Sequence, residues 1–87
     1  MKLFILPRVE KELRKLPKFD QIAVGQKIRA LREPQIPSEE KLAGYTHIYR
    51  VRVGQYRIVY KKTSDEITII LIGHRKDLYR KLTSWMR

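Results

Sequence analysis

The chain has 87 residues, and its 20 Lys and Arg against nine Asp and Glu give a formal net charge of +11 at pH 7. This length suits one domain over residues 1–87, and the absence of cysteine excludes a disulfide framework or a thiolate site. The absence of cysteine also fits the reducing cytoplasm, where we expect the protein. The longest apolar run, ITIILIG, is far shorter than the roughly 20 residues of a membrane span, so we expect a soluble protein without a membrane partner. The cationic excess predicts a polyanionic partner such as nucleic acid or an acidic protein.

The N-terminal stretch predicts a short strand followed by a helix. Residues 2–6, KLFIL, form an apolar run typical of a strand, and Pro7 suits the first turn of a helix, where its missing N–H is not needed. Apolar residues then recur three and four positions apart, the spacing of one helical face: Leu6, Val9, Leu13 and Leu16. Pro17 ends this helix.

A second helix is predicted over residues 19–32, and Pro34 and Pro37 after it open a loop that runs to Gly44. The stripe of this helix that should be buried consists of Ile22 or Val24, followed by Ile28 and Leu31.

From Tyr45 onward the apolar period changes to two, which predicts strands over 47–53, 56–61 and 66–72. The last of these is apolar on both faces, so we expect it to be central in the sheet. The remaining stretch, HRKDLYRKLTSWMR, predicts a short C-terminal helix or tail. The order β-α-α-β-β-β-α therefore predicts an α+β fold, with the N-terminal helical pair packed on one face of a small, mostly antiparallel four-stranded sheet.

The pair Gly54-Gln55 predicts a two-residue hairpin turn of type II′, with glycine at the first central position. In that register, residues whose numbers sum to 109 lie opposite each other. Six apolar or aromatic residues then share one face, which should pack on the helices: Val53 with Tyr56, Val51 with Ile58, and Tyr49 with Tyr60.

The other face of this hairpin carries three arginines. Arg52 falls opposite Arg57, and Arg50 lies diagonal to Arg57. Like charges directly opposed on a sheet cost roughly 0.2–1 kcal/mol, whereas three guanidiniums on one exposed face suit the recognition of phosphate. The alternative is an edge that charge protects against aggregation, although such edges usually use lysines and both signs of charge.

The segments YRVRVGQYRIVY and GHRKDLY, in this order, resemble the RelE/ParE superfamily of bacterial and archaeal toxins. The likeness extends over the whole chain, including the N-terminal strand, the helical pair and the KLAG before the hairpin. It implies the toxin of a type II toxin–antitoxin system, encoded beside an acidic antitoxin and monomeric on its own. In this superfamily the RelE branch enters the ribosomal A site and cuts messenger RNA, whereas the ParE branch poisons DNA gyrase and lacks the nuclease residues.

The resemblance to the RelE branch implies a metal-independent endoribonuclease that inhibits translation and whose partners are the ribosome and messenger RNA. Arg57, Arg75 and Tyr79 match residues that line the site in this branch, and His74 occupies a place that is basic in several relatives. We expect these four residues to be catalytic. The positions implied to bind RNA are Arg50, Arg52 and Lys61. Two histidines, no cysteine and nine scattered acids give no convincing metal site, and we expect no cofactor.

This chain departs from the family pattern at Arg50 and Arg52, where relatives often carry lysines. A lysine can lose its proton when its pKa is lowered, but an arginine effectively cannot. His74 is the nearby side chain that titrates near neutrality, and it is either a base, a leaving-group acid or a surface residue at a strand end. Tyr79 either stacks on a base or positions the 2′-OH, or it packs half-buried on the sheet.

Three functions follow from these observations. The first is a ribosome-dependent endoribonuclease toxin, which the arginines together with Tyr79 favour. The second is a ParE-like inhibitor of DNA gyrase without nuclease activity. The third is a nucleic-acid-binding regulator or toxin remnant that does not cleave, and all three predict an acidic partner.

Overall fold

The computed structural model of the chain describes the backbone of residues 1–86 and the side chains of residues 1–84. The elements follow one another as β1 (Lys2–Ile5), α1 (Pro7–Lys15), α2 (Lys18–Ala30), β2 (Glu40–Lys41), β3 (Ile48–Val53), β4 (Tyr56–Lys62), β5 (Glu66–His74) and α3 (Leu78–Met86). The predicted α+β fold is confirmed, and the predicted elements lie within a few residues of the observed ones.

The sheet has the strand order β1-β5-β4-β3-β2, in which β1 runs parallel to β5 and every other pair is antiparallel. It contains one strand more than the four predicted, because Glu40 and Lys41 pair with Arg50 and Tyr49 inside the predicted loop. Two residues are too few to show a period of two, so the sequence pattern gives no sign of this strand. β5 is an interior strand between β1 and β4, as its apolar sequence predicts.

The hairpin between β3 and β4 has the predicted register, with Val53 opposite Tyr56 and Arg52 opposite Arg57. Gly54 has a φ of 58°, while Gln55 does not have a positive φ. This combination matches a type II′ turn, which needs a left-handed conformation only at its first central residue.

The helical pair α1 and α2 covers one face of the sheet, called here the helical-pair face. The core on this face comprises residues from both helices and from β3, β4 and β5: Val9, Val24, Ile28, Leu31, Val51, Ile58, Tyr60, Ile67, Ile69 and Ile72. In α2, Val24 is fully buried and Ile22 is 46% exposed, which decides between the two predicted stripes.

The opposite face, called here the α3 face, is partly covered by α3. A second core forms there from Leu42, Ile48, Val59, Ile70, Leu71, Leu78 and Leu82. The pairing of Val59 with Leu71 and of Tyr60 with Ile69 leaves Ile70 as the extra residue of a β-bulge in β5. This bulge and the two cores explain why β5 is apolar on both faces.

Within residues 1–86, no helix combines the length and the apolar character needed to cross a membrane.

Candidate functional site

Arg52 and Arg57 are Cα partners on neighbouring strands and both project from the α3 face. The side chain of Arg52 is exposed and that of Arg57 is partly exposed. Neither forms a hydrogen bond or an ion pair with any residue whose side chain the structure describes. Two opposed guanidiniums without an acidic partner form a site that can take an anion, because a phosphate would offset their repulsion.

Arg50 lies on the same face, but its guanidinium is engaged within the protein. Nη2 is 3.3 Å from Oε2 of Glu40, Nη1 donates a hydrogen bond to the hydroxyl of Tyr79, and only 18% of the side chain is exposed. The expectation that three guanidiniums converge on one open patch is therefore wrong for Arg50. Burial opposes its charge, but the hydrogen bonds to Tyr79 and Glu40 outweigh this effect and raise the pKa of Arg50 above its ordinary value.

Tyr79 is the second residue of α3, and its position follows from the packing of that helix. Leu78 and Leu82, four residues apart on one helical face, are buried in the second core. Tyr79 consequently points away from this core and is 55% exposed. The centre of its ring is 5.5 Å from the guanidinium carbon of Arg50. The structure therefore places an exposed phenol on the same face as Arg52 and Arg57.

His74 does not lie with these residues. It is the Cα partner of Tyr56, and the two rings meet edge to face with their centres 5.9 Å apart on the helical-pair face. Its Nδ1 accepts a hydrogen bond from the backbone N–H of Lys76 at 3.2 Å. Arg57 is instead the partner of Gly73, so adjacent positions of β5 serve opposite faces.

Arg75 lies directly beyond β5 and beside the hairpin turn, because its backbone N–H donates a hydrogen bond to the carbonyl oxygen of Gln55 at 2.9 Å. Its side chain is exposed at this end of the sheet. Lys61 is exposed on β4 opposite Ile48, and since strand residues alternate, it shares the α3 face with Arg57. Val59 and the second core separate Lys61 from Arg57.

Two residues of this face were not predicted as site residues. Glu40 holds Arg50 from the short strand β2. The side chain of Lys81 lies 3.5 Å from the position that a Cβ would take on Gly73, the partner of Arg57, and its Nζ is 3.6 Å from Oε2 of Glu12. The sequence could have indicated Lys81, because its helical spacing from Leu78 turns it towards the sheet. It gives no local sign that Glu40 belongs to a strand beside Arg50. Across the described part of the chain, no three His, Asp or Glu side chains lie together as metal ligands would.

Comparison with known proteins gives consistent matches along the chain. Residues 3–79 match the sequence profile of a family described as ParE toxin of type II toxin-antitoxin system, parDE. The putative toxin RelE1 of Methanocaldococcus jannaschii is 33% identical over 79 residues, covering 84% of this chain and 88% of that protein. Toxin RelE3 of the same organism is 42% identical over 40 residues, covering 46% of each chain.

Solved structures share the fold. The isolated E. coli RelE toxin superimposes with a TM-score of 0.69 at 25% identity, covering 99% of this chain and 98% of that one. A RelB-RelE antitoxin-toxin complex from Methanococcus jannaschii matches with a TM-score of 0.75 at 24% identity, covering 90% of this chain and 96% of the matched one. At 24% identity, the likeness to the RelB-RelE complex shows a shared fold and nothing more.

Proposed function

This chain belongs to the RelE/ParE superfamily of toxins of type II toxin–antitoxin systems, and we propose that it is an endoribonuclease of the RelE branch that cuts messenger RNA in the ribosomal A site. One observation carries this proposal: Arg52 and Arg57 face each other without an acidic partner among residues 1–84, on the same side of the sheet as the exposed Tyr79. An arrangement that costs stability and binds anions is expected at a site that handles phosphate.

The proposed reaction needs no metal. The 2′-OH of a ribose loses its proton to water as its oxygen attacks the adjacent phosphorus. The bond from phosphorus to the 5′-oxygen of the next nucleotide breaks, and that oxygen takes up a proton from water, which leaves a 2′,3′-cyclic phosphate and a 5′-hydroxyl. Negative charge grows on the phosphoryl oxygens in the transition state, and preorganised cations lower the barrier. We assign this role to Arg57, assisted by Arg75 at the end of β5, while Arg52 and Lys61 bind flanking phosphates.

Tyr79 is the group that we assign to the nucleotide itself, where it stacks on a base or orients the 2′-OH. Since arginines cannot act as bases at neutral pH, orientation of the messenger by the ribosome supplies much of the rate. His74 belongs to the other face and has no place in this centre, so we withdraw it from the proposed catalytic residues.

The proposed physiological partner is an acidic antitoxin that neutralises the toxin in the cytoplasm. The net charge of +11 suits such a partner. Solved relatives from Methanococcus jannaschii and Pyrococcus horikoshii are RelB-RelE complexes of antitoxin with toxin, which supports a partner of this kind. We propose that the chain without its antitoxin is a monomer that binds the ribosome and its messenger.

The test is a reconstituted translation reaction to which the purified chain is added. Messenger ends are mapped by primer extension, with and without translation of that messenger. Breaks that require translation and disappear in Arg57→Ala support the proposal. Arg29→Ala, which removes an exposed cation from α2 on the helical-pair side, is the matched control and should cut like the wild type. Intact messenger in the wild-type reaction overturns the proposal.

The second candidate function is inhibition of DNA gyrase, and the matched ParE family profile favours it. In that case the arginines of the α3 face would serve protein contact and not catalysis. A supercoiling assay with purified gyrase distinguishes the two functions. Double-strand breaks or lost supercoiling, together with intact messenger, would support the gyrase inhibitor.

A further inference from the structure

The guanidinium of Arg50 differs from those of Arg52 and Arg57 in that both of its terminal nitrogens are engaged within the protein. Its two terminal nitrogens point at Glu40 and Tyr79, and its Nε is buried without a hydrogen-bond partner. Bidentate binding of a phosphate needs two adjacent N–H donors that face the ligand. The guanidinium of Arg50 is therefore occupied inside the protein, although its position in the sequence matches an RNA-binding residue of the family.

The sheet fixes the Glu40–Arg50 contact. Glu40 and Arg50 are Cα partners on β2 and β3, and Val59, the partner of Arg50 on β4, is fully buried. Opposite residues on one sheet face have their Cβ atoms close together, so the carboxylate of Glu40 lies within reach of the guanidinium of Arg50. The short strand β2 thus serves to hold an acid against Arg50.

Tyr79 gains a fixed position from Arg50. Its hydroxyl oxygen accepts the hydrogen bond from Nη1, and the guanidinium also lies 5.5 Å from the ring centre, within the range of a cation–π contact. Because the oxygen accepts from Arg50, the O–H of the phenol remains free to donate. The ring is otherwise exposed at the beginning of α3, where a side chain held by nothing else would sample several rotamers.

We propose that Glu40 and Arg50 are positioning residues for Tyr79: they hold the phenol oxygen at the site of RNA cleavage, and Arg50 does not itself bind RNA. This inference rests on the proposed nuclease function, in which Tyr79 touches the nucleotide. It departs from what the resemblance implies for Arg50, and it assigns a role to Glu40, which the sequence pattern does not reveal.

A double-mutant cycle tests the inference. Single-turnover cleavage rates on saturating programmed ribosomes are compared for Arg50→Met, Tyr79→Phe and the double variant. Misplacement of a reacting group costs up to about 100-fold, so each single variant should be slowed by about 10- to 100-fold. If Arg50 acts through the phenol oxygen, adding Arg50→Met to Tyr79→Phe should slow cleavage by less than about twofold more. The reason is that the effects of substitutions at two contacting residues are not additive. Multiplication of the two losses overturns the inference.

Arg52→Met is the matched control, because Arg52 is an exposed arginine on the same strand and the same face. The factor by which Arg52→Met slows cleavage should multiply with the factor for Tyr79→Phe in the double variant. Glu40→Gln keeps an acceptor oxygen for Nη2 and should restore most of the rate that Glu40→Ala loses. A rate for Glu40→Gln no higher than for Glu40→Ala counts against positioning by a hydrogen bond.

A readout independent of cleavage separates this inference from the proposed function. In the chain with ¹³C-labelled tyrosine rings, the signals of Tyr79 are identified by their absence in Tyr79→Phe. Arg50→Met and Arg50→Lys should shift and broaden these signals, while Arg52→Met should leave them unchanged. Unchanged Tyr79 signals in the Arg50 variants overturn the inference whether or not RNA is cut. If the wild-type chain cuts no RNA but the Arg50 variants shift the Tyr79 signals, the contact between Arg50 and Tyr79 is supported and the nuclease function alone is overturned.

Discussion

Arg52 and Arg57 stand directly opposite each other on β3 and β4, and no acid among residues 1–84 pairs with either. We predict that this arrangement lowers stability and serves activity. Arg52→Thr should raise the free energy of unfolding by about 0.2–1 kcal/mol, because it removes a like-charge pair and places a β-branched residue in a strand. The same change should slow RNA cleavage. Urea unfolding and the translation assay measure the two effects.

Lys61→Thr is the control for this prediction. Lys61 is exposed on β4 and lies opposite Ile48, so its replacement relieves no directly opposed charge. Its gain in stability should be smaller than that of Arg52→Thr. An equal gain would mean that the β propensity of threonine, and not the relief of repulsion, explains the effect.

The second prediction concerns the two residues after Gly73. Arg75→Ala should slow cleavage by about 100-fold, the cost of removing one donor that stabilises transition-state charge. His74→Ala should slow it by less than about threefold, although loss of a general acid or base would cost about 100- to 10,000-fold. The reason is the position of His74 beside Tyr56 on the helical-pair face. A large loss in His74→Ala would return His74 to the catalytic centre.

The bulge at Ile70 explains why the sequence did not predict the face of His74. Ile67 and Ile69 belong to the core under the helical pair, and strict alternation from them would place residue 74 on the α3 face. The extra residue shifts the alternation by one, so that Ile72 and His74 return to the helical-pair face. Isoleucine and leucine on both faces of β5 hide this shift in the sequence.

Local patterns predicted the rest of the fold well. The period of two and the turn glycine fix the β3–β4 register, and the helical spacing from Leu6 to Leu16 fixes the buried side of α1. The contacts of Arg50 had no such signal, because Glu40 precedes it by 10 positions and Tyr79 follows it by 29. Only the assembled sheet and the packing of α3 bring these three residues together.

The third prediction is that alanine has opposite effects on stability at Gly54 and Gly25, because the two glycines differ in backbone conformation. Gly54 has a φ of 58° in the hairpin turn and open space where a Cβ would go, so Gly54→Ala is strained by the backbone alone. The free energy of unfolding should fall by about 1–2 kcal/mol, the cost of a left-handed conformation for an L-residue. Gly25→Ala, in the helix α2 with its nearest contact at 3.8 Å, should instead raise it by about 0.5–1 kcal/mol. Thermal or urea unfolding of both variants checks the opposite signs, and destabilisation by Gly25→Ala would contradict the argument.

The fourth prediction is a pH dependence of stability that arises from Tyr60. Tyr60 is fully buried, and its hydroxyl donates a hydrogen bond to Glu39, whose carboxylate also lies 2.8 Å from Nζ of Lys62. Burial, together with this hydrogen bond to an anion, raises the pKa of Tyr60 far above its ordinary value. The folded protein therefore holds the phenol proton more tightly than the unfolded chain does.

The sign of the effect follows from this difference. The contribution of Tyr60 to the free energy of unfolding is complete below about pH 10, the pKa of an unfolded tyrosine. Above this pH the free energy of unfolding should fall by about 1.4 kcal/mol per pH unit. Tyr60→Phe should remove this part of the slope, and it should lower the free energy of unfolding by about 1.5–3 kcal/mol at neutral pH through the lost hydrogen bond to a charged group. Tyr49→Phe is the control, since the two rings stack with centres 6.1 Å apart and lysine titration is common to both variants. Urea unfolding from pH 8 to 11 measures the slopes, and equal slopes for Tyr60→Phe and Tyr49→Phe would contradict the assignment to Tyr60.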